Sequence, residues 1–140
     1  MKLKIVNVGK ISLKPVTDLL EEYLGRIRHY LSVEITNLKS SEDFLSKINQ
    51  QDYLIVLDEK GKMFGSMEFA KWLGGQKLRS VKNLVFFVGP AEGVSEEIKK
   101  RANLLLSLST MTLQHELALV VLLEQIYRAC TILKGEPYHK

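Results

Sequence analysis

The chain has 140 residues, 46% of them hydrophobic and 26% charged, a composition typical of one soluble globular domain, here residues 1–140. No apolar run is long enough to cross a bilayer, so we expect no membrane partner, and the single cysteine, Cys130, excludes an intrachain disulfide and favours the reducing cytoplasm. The net charge of +4 weakly favours a polyanionic partner such as a nucleic acid.

The first half of the chain alternates predicted strands and helices. Apolar, β-branched runs predict strands at Leu3–Val8, Ser32–Leu38 and Asp52–Leu57. Pro15 suits the first turn of a helix, and an apolar stripe extends that predicted helix over Leu13–Tyr30. A shorter helix is predicted to begin after Ser41.

The second half continues the same alternation. Strands are predicted at Asn83–Val88 and Leu104–Leu108. Helices are predicted from Ser66 to about Gln76, from a Ser95 cap through Arg101, and from about Leu113 to Leu133. Because strands and helices alternate throughout, the sequence predicts an α/β fold with a mostly parallel sheet flanked by helices.

The last predicted helix is apolar on two sides. One side carries His115, Leu119, Leu122, Ile126 and Ala129, and the roughly opposite side carries Leu117, Val120 and Val121. A helix that is apolar on two sides needs two partners. One partner is the sheet, and in so small a domain we expect the other to be a second copy of the chain, which predicts a homodimer.

Three polar turns follow predicted strands, at residues 58–65, 89–94 and 107–112. Each turn alone is more often structural than functional. The carboxyl ends of parallel strands meet at one edge of a sheet, where ligands collect, so the three turns together predict one pocket. No GxGxxG spacing and no phosphate-binding GxxxxGK[ST] motif occurs, which argues against the common nucleotide folds.

The histidines and one pair of charges are further candidates. His29 is expected to face solvent, whereas His115 follows the third polar turn and has either a ligand contact or a structural hydrogen bond. Glu124 and Arg128 are four residues apart on a helix. They form either an ordinary ion pair or a binding site in which the glutamate orients the arginine towards a phosphate or base oxygen. No spacing of histidine, cysteine and carboxylate residues predicts a metal site.

The last four residues, Pro137-Tyr138-His139-Lys140, place an aromatic ring, an imidazole and an ammonium group just beyond this helix. The segment is too short to fold alone, and disorder is the simplest interpretation of such a tail. The alternative is that the tail completes a site together with the helix that carries Arg128.

Three blocks of sequence resemble a known family. They are Leu-Ser-Leu-Ser-x-Met-Thr-Leu-x-His at 106–115, Glu-Gln-x-Tyr-Arg-Ala at 124–129 and Gly-x-Pro-Tyr-His at 135–139. Upstream, the matching pieces are Leu57-Asp58 with Gly61-Lys62, Glu68-Phe69-Ala70, and Gly89 with Glu92-Gly93. Over its whole length the chain is similar to the ribosomal large-subunit methyltransferase H family of the knotted SPOUT methyltransferases.

The resemblance implies a C-terminal trefoil knot whose loops hold S-adenosylmethionine in a bent form. It implies methyl transfer to N3 of a pseudouridine, with the ribosome and its large-subunit RNA as partners. The implied cofactor-binding residues are Leu57, Gly89, Gly93, Leu108, Ser109, Thr110, Met111, Thr112 and Leu113. The implied substrate-binding residues are His115, Glu124, Arg128 and Tyr138, and the implied catalytic residues are Arg128, Tyr138 and His139. Among these, His139 is the leading acid–base candidate.

The chain departs from the family pattern at five positions. The family usually has glycine at Pro90, proline at Gln114, arginine at Leu119, and serine and glutamate at Gly65 and Met67. Proline at 90 removes one backbone donor from the cofactor loop, and leucine at 119 removes a cationic contact. Two other functions therefore stay open: a non-catalytic RNA- or ribosome-binding module with a degenerate cofactor site, and a small-molecule methyltransferase or other nucleotide-binding enzyme.

Overall fold

Five strands and four α-helices alternate along the chain in the computed structural model, which describes all residues from 1 to 140. The strands are β1 (Lys2–Val8), β2 (Ser32–Leu38), β3 (Tyr53–Met63), β4 (Asn83–Val88) and β5 (Leu104–Ser107). The helices are α1 (Lys14–Ile27), α2 (Ser66–Leu78), α3 (Glu96–Arg101) and α4 (His115–Leu133). All strands pair in parallel, in the order β2-β1-β4-β3-β5, which confirms the predicted α/β fold.

Helices α1, α2 and α4 pack on one face of the sheet, with α4 in contact with both of the others. The apolar side of α4 that the sequence predicts is buried here, at Leu119, Leu122, Ile126 and Ala129. On the opposite face, α3 and Phe44 cover a smaller apolar cluster. Strand β4 is therefore covered on both faces, which explains its unbroken apolar run.

Strand β3 extends further than the sequence predicts. Both Leu57 and Lys62 pair with Leu106 on β5, so residues 58–61 form an irregular insertion between two paired parts of one strand. The prediction that the strand ends at Leu57 was wrong, because the polar residues 58–61 resemble a turn, and the pairing of Lys62 and Met63 with β5 leaves no periodic signal. The insertion forms one wall of the cavity described below.

The prediction of a helix that begins after Ser41 was also wrong. Residues 42–44 form a turn, and only a short 3-10 helix, Leu45–Lys47, follows. Asp43 has a φ of 64°, a backbone conformation that an α-helix does not contain. Phe44 anchors this segment by packing its ring on that of Phe87, with the centroids 4.3 Å apart.

The ends of the helices are capped by side chains and by a glycine. The hydroxyl of Ser95 accepts a hydrogen bond from the N–H of Ile98 at 3.3 Å, as the predicted cap requires, and Gln114 Oε1 accepts from the N–H of Leu117 at 3.0 Å. Gly135 has a φ of 71°, and the N–H of Glu136 bonds to the carbonyl of Thr131. This left-handed turn ends α4 and redirects the last residues back towards the helix.

Two further expectations concern the chain as a whole. None of its helices combines the length and the apolar character that crossing a bilayer requires. The trefoil knot that the family resemblance implies stays a prediction.

Candidate active site

A cavity of about 590 Å³ lies beyond the carboxyl ends of β4 and β5 and beside the irregular insertion of β3, within the size range of small-molecule sites. The three polar turns that the sequence singles out all contribute to its lining. Of the residues expected to bind the cofactor, those on the cavity wall are Leu57, Gly89, Gly93, Leu108, Ser109, Met111, Thr112 and Leu113. Thr110 is exposed and does not line the cavity, because it lies at the tip of its turn.

The loop after β5 is held by its own hydroxyl groups. Ser107 Oγ donates to the carbonyl of Ser109 at 3.0 Å, and Ser109 Oγ accepts from the N–H of Met111 at 3.0 Å. The Ser107 hydroxyl is thus committed within the loop, whereas the Ser109 hydroxyl can still donate, so the loop offers a ligand its backbone groups and this hydroxyl.

The loop after β4 passes too close to its neighbours to carry a side chain at Gly89. A Cβ atom there would lie 2.6 Å from Cγ2 of Val94 and 3.4 Å from Cε1 of Phe87. Val94 itself lines the cavity, so a larger residue at 89 would push this loop into the space that a ligand needs.

One wall of the cavity carries a pair of opposite charges. Lys99 Nζ lies 3.6 Å from Asp58 Oδ2, and both side chains are largely buried. Asp58 Oδ1 also accepts a hydrogen bond from the N–H of Lys60 at 3.2 Å. Neither Asp58 nor Lys99 is among the site residues expected from the sequence. The signal available for Asp58 was its place directly after a buried strand, whereas Lys99 resembled an ordinary surface residue of α3.

His115 lies on the wall of this cavity and is also hydrogen-bonded within the protein. Its Nε2 is 2.7 Å from Oδ1 of the buried Asn7. Asn7 Nδ2 donates to Asn37 Oδ1 and to the carbonyl of Gly9. The amide oxygen of Asn7 is thus the acceptor that faces His115. The structural hydrogen bond of this histidine is confirmed, and its contact with a ligand stays a prediction.

Glu124, Arg128, Tyr138 and His139 form a second group of contacts, here called the tail cluster. Glu124 Oε2 accepts from Arg128 Nη2 at 3.0 Å and from the Tyr138 hydroxyl at 2.8 Å. Arg128 Nη1 lies 2.9 Å from His139 Nδ1. Arg128 therefore connects the carboxylate of its own helix to the imidazole of the tail. His115 is not part of this cluster, since it precedes Glu124 by roughly 13 Å along the helix.

The last residues are docked against α4 and α1. The ring of Tyr138 packs edge-on against Tyr127, with centroids 4.6 Å apart, and the guanidinium of Arg128 lies 4.9 Å from the Tyr138 ring centroid. Burial and the hydrogen bond to Glu124 raise the pKa of Tyr138 well above its ordinary value, so its hydroxyl stays protonated at neutral pH. Tyr30 donates to Glu136 at 2.8 Å, which ties the start of the tail to the end of α1.

A smaller cavity of about 250 Å³ adjoins the first, and Leu106, Ser107 and Leu108 line both. Gln125 lies on its wall and joins it to the tail cluster: Ser66 Oγ donates to Gln125 Oε1 at 2.7 Å, and Gln125 Nε2 donates to Glu124 Oε1 at 2.7 Å. The smaller cavity is thus connected to the tail cluster through one polar chain.

Comparison with known proteins places the chain in a family. Residues 1–139 match the family model described as "Predicted SPOUT methyltransferase". A relative named ribosomal RNA large subunit methyltransferase H from Koribacter versatilis is 42% identical over 144 aligned positions, covering 99% of this chain and 98% of the relative. Relatives with the same name from Coprothermobacter proteolyticus and Streptococcus thermophilus are 40% and 38% identical, with all of both chains covered.

The chain belongs to the SPOUT methyltransferase family. It is a methyltransferase, and its cofactor is S-adenosylmethionine. A solved structure of a Legionella pneumophila chain, described as a methyltransferase in complex with bound SAM, has a TM-score of 0.48 and 14% identity, covering 92% of this chain and 66% of that one.

The large cavity has features that fit S-adenosylmethionine. Its volume suits a ligand of that size, and the absence of a side chain at Gly89 leaves room for Val94, so this loop need not move into the cavity. Lys99 and Asp58 offer charges opposite to the carboxylate and the ammonium group of the cofactor's amino-acid part. No three histidine, cysteine or acidic side chains lie together in a way that would hold a metal ion.

We predict that Gly89→Leu weakens the binding of S-adenosylmethionine by about tenfold or more while the protein stays folded. The new side chain displaces Val94 and occupies the ligand's space. Calorimetric titration measures the affinity, and circular dichroism with thermal melting reports the fold.

Gly25→Leu is the matched control, because a Cβ atom at Gly25 meets nothing within 4 Å and the residue is exposed on α1. The control should bind S-adenosylmethionine like the unaltered protein. Unchanged affinity in a folded Gly89→Leu variant would rule out the proposed position of the cofactor.

Proposed function

We propose that this chain transfers the methyl group of S-adenosylmethionine to N3 of a pseudouridine in large-subunit ribosomal RNA. The names of relatives that match it over their whole length support large-subunit ribosomal RNA as the substrate, and the choice of a pseudouridine N3 follows the family resemblance. The observation that carries the proposal is the tail cluster, in which the 124–129 motif of α4 contacts the 135–139 motif of the tail. The start of the same helix borders the cofactor cavity. The proposal puts the activity in the cytoplasm, where ribosomes are found.

In this proposal the protein contributes mainly by orienting its substrates. When bound, the cofactor supplies an electrophilic methyl group on a sulfonium, and such a displacement needs alignment more than covalent help from the enzyme. The loops around Leu57, Gly89 and residues 108–113 hold the cofactor through their backbone groups. The target nucleotide is bound by Arg128, Tyr138 and His139. On the side of the cavity, His115 orients the substrate, and in the tail cluster Glu124 orients Arg128.

The tail cluster has the chemistry to receive a nucleotide. Arg128 uses Nη1 and Nη2 once each, so N–H groups remain on both atoms for a phosphate or base oxygen. Its Nε is buried and has no partner within the protein. The half-buried ring of Tyr138 adds an aromatic surface beside these donors, and the net charge of +4 attracts RNA at long range.

We predict that the purified protein, given S-adenosylmethionine and large ribosomal subunits that lack the modification, methylates one pseudouridine at N3. Incorporation of labelled methyl groups measures the reaction, and mass spectrometry of the digested RNA identifies the nucleoside. Small ribosomal subunits, treated in the same way, are the control and should remain unlabelled. Cofactor binding without any transfer to ribosomes would instead support a non-catalytic ribosome-binding module.

We predict that deleting residues 137–140 abolishes methyl transfer to ribosomes. The deletion removes Tyr138 and His139 and leaves Arg128 without its tail partners, whereas the main cofactor contacts lie on earlier loops. Affinity for S-adenosylmethionine should therefore fall only modestly, and the fold should persist because the tail packs outside the main core.

Removing only Lys140, which is exposed and forms no hydrogen bond or ion pair, is the matched control for this truncation. It should leave the methylation rate close to that of the full chain. If the protein ending at Glu136 methylated ribosomes at the full rate, the tail would have no role in the reaction.

We propose further that the chain works as a homodimer through the outer side of α4. Leu117 is 49% exposed, and Val120 and Val121 are only half-buried, although all three are apolar. A second copy of the same helix would cover this side.

We predict that light scattering gives twice the 16.0 kDa mass of one chain at micromolar concentration. Val121→Asp should shift the mass towards that of the monomer, because it places an unpaired charge in the interface. Leu78→Asp is the control, since Leu78 is 89% exposed at the end of α2. A monomer for the unaltered protein would exclude the dimer.

A further inference from the structure

The contact with Arg128 determines which nitrogen of His139 carries the ring proton. A guanidinium group can only donate hydrogen bonds, so the 2.9 Å contact from Arg128 Nη1 requires His139 Nδ1 to accept. The proton of the neutral ring must then be on Nε2. The other tautomer would place an N–H of His139 against an N–H of Arg128.

The groups that the tail cluster leaves free are mostly hydrogen-bond donors. The carboxylate of Glu124 already accepts three hydrogen bonds, from Arg128, Tyr138 and Gln125. The Tyr138 proton is committed to Glu124, and His139 Nδ1 is committed to Arg128. By contrast, His139 Nε2–H makes no hydrogen bond within the chain, and Arg128 retains unused N–H groups.

We propose, on the basis of the function proposed above, that His139 acts on the target pseudouridine as a hydrogen-bond donor through Nε2–H. In this role it works beside Arg128, and it does not remove the N3 proton. Neither nitrogen of the neutral ring is available as a base, since one accepts from Arg128 and the other carries the proton. This assignment replaces the acid–base role expected for His139 from the sequence.

The chemistry of the target makes donors useful. N3 of a pseudouridine lies between two carbonyl groups, so loss of its proton to solvent water gives an imide anion whose charge spreads over N3 and both oxygens. The electron pair on N3 forms the new bond to the methyl carbon, and the carbon–sulfur bond breaks with its pair retained by sulfur. Donors placed at a carbonyl oxygen stabilise the anion and favour the loss of the proton.

Two substitutions of His139 separate a donor from a base. In His139→Gln the amide nitrogen can reach the position of Nε2 and still donate, whereas the shorter side chain of His139→Asn has no donor there. Neither amide can act as a base. If His139 is a donor, kcat on ribosomes should be about tenfold or more higher for His139→Gln than for His139→Asn. KM should differ little, because the contact strengthens as charge develops.

The tautomer can be measured without any reaction. The chain has three histidines, so the ring-nitrogen spectrum of the ¹⁵N-labelled protein contains three sets of signals, and that of His139 is the set missing from His139→Gln. At neutral pH we expect Nδ1 of His139 to be unprotonated and Nε2 to be protonated.

Each outcome bears on a different claim. A protonated Nδ1 in the spectrum, or equally large losses of kcat in the two variants, would overturn the donor role of His139. If the unaltered protein fails to methylate ribosomes, the proposed function fails, while the nitrogen spectrum still tests the tautomer. The expected spectrum together with partial rescue by glutamine supports the assignment.

Discussion

The position of α4 depends on a buried carboxylate in its first turn. Glu116 Oε1 accepts from the N–H groups of Ser12 and Leu13 at 2.9 and 3.0 Å, and Oε2 accepts from the Ser12 hydroxyl at 3.1 Å. These hydrogen bonds, above all that from Leu13, hold the pKa of Glu116 below its ordinary value, so the carboxylate stays charged. The positive end of the helix dipole stabilises the same charge. The contact fixes the start of α4 against the loop after β1, beside the His115–Asn7 bond.

Both candidate groups of residues involve this one helix, although the cofactor loops and the tail lie outside it. Its first turn borders the cofactor cavity, and its middle turns carry Glu124 and Arg128. The left-handed turn at Gly135 then brings Tyr138 and His139 back to these side chains. A displacement of α4 would therefore move the tail cluster relative to the cofactor cavity, which gives the Glu116 contacts importance beyond local stability. The buried apolar face of the helix resists such a displacement because its residues interlock with α1, α2 and the sheet.

Local signals in the sequence were enough to predict the parallel sheet and the meeting of three loops. Buried strands such as β4 are continuous apolar runs, and the polar turns that follow them must share an edge of the sheet. The continuation of β3 beyond Leu57 has no such signal, because it depends on pairing with β5. The bond between Glu116 and Ser12 joins residues 104 positions apart, and nothing in either segment indicates the other. The docking of the tail on the helix of Arg128 was one of two interpretations of the sequence, and only the partners of Tyr138 and His139 in the structure decide between them.

The departures from the family pattern affect helix ends and the core more than the charged groups of the two sites. Leu119 is fully buried, so a contact of this leucine with RNA is excluded, and the leucine adds apolar packing where an arginine would need a buried partner.

Two departures lie at the starts of helices. Gln114 caps α4 with its side chain, whereas a proline there would favour the start of the helix by restricting the backbone φ angle. At the start of α2, Gly65 has no side chain with which to cap the helix, but its N–H still donates to Glu68 Oε1 at 3.0 Å. Pro90 and Gln114 are the departures that lie on the wall of the large cavity, and the carbonyl of Pro90 still closes the turn to Gly93. The replacement at 90 therefore removes one donor from the cofactor loop without opening the turn that shapes it.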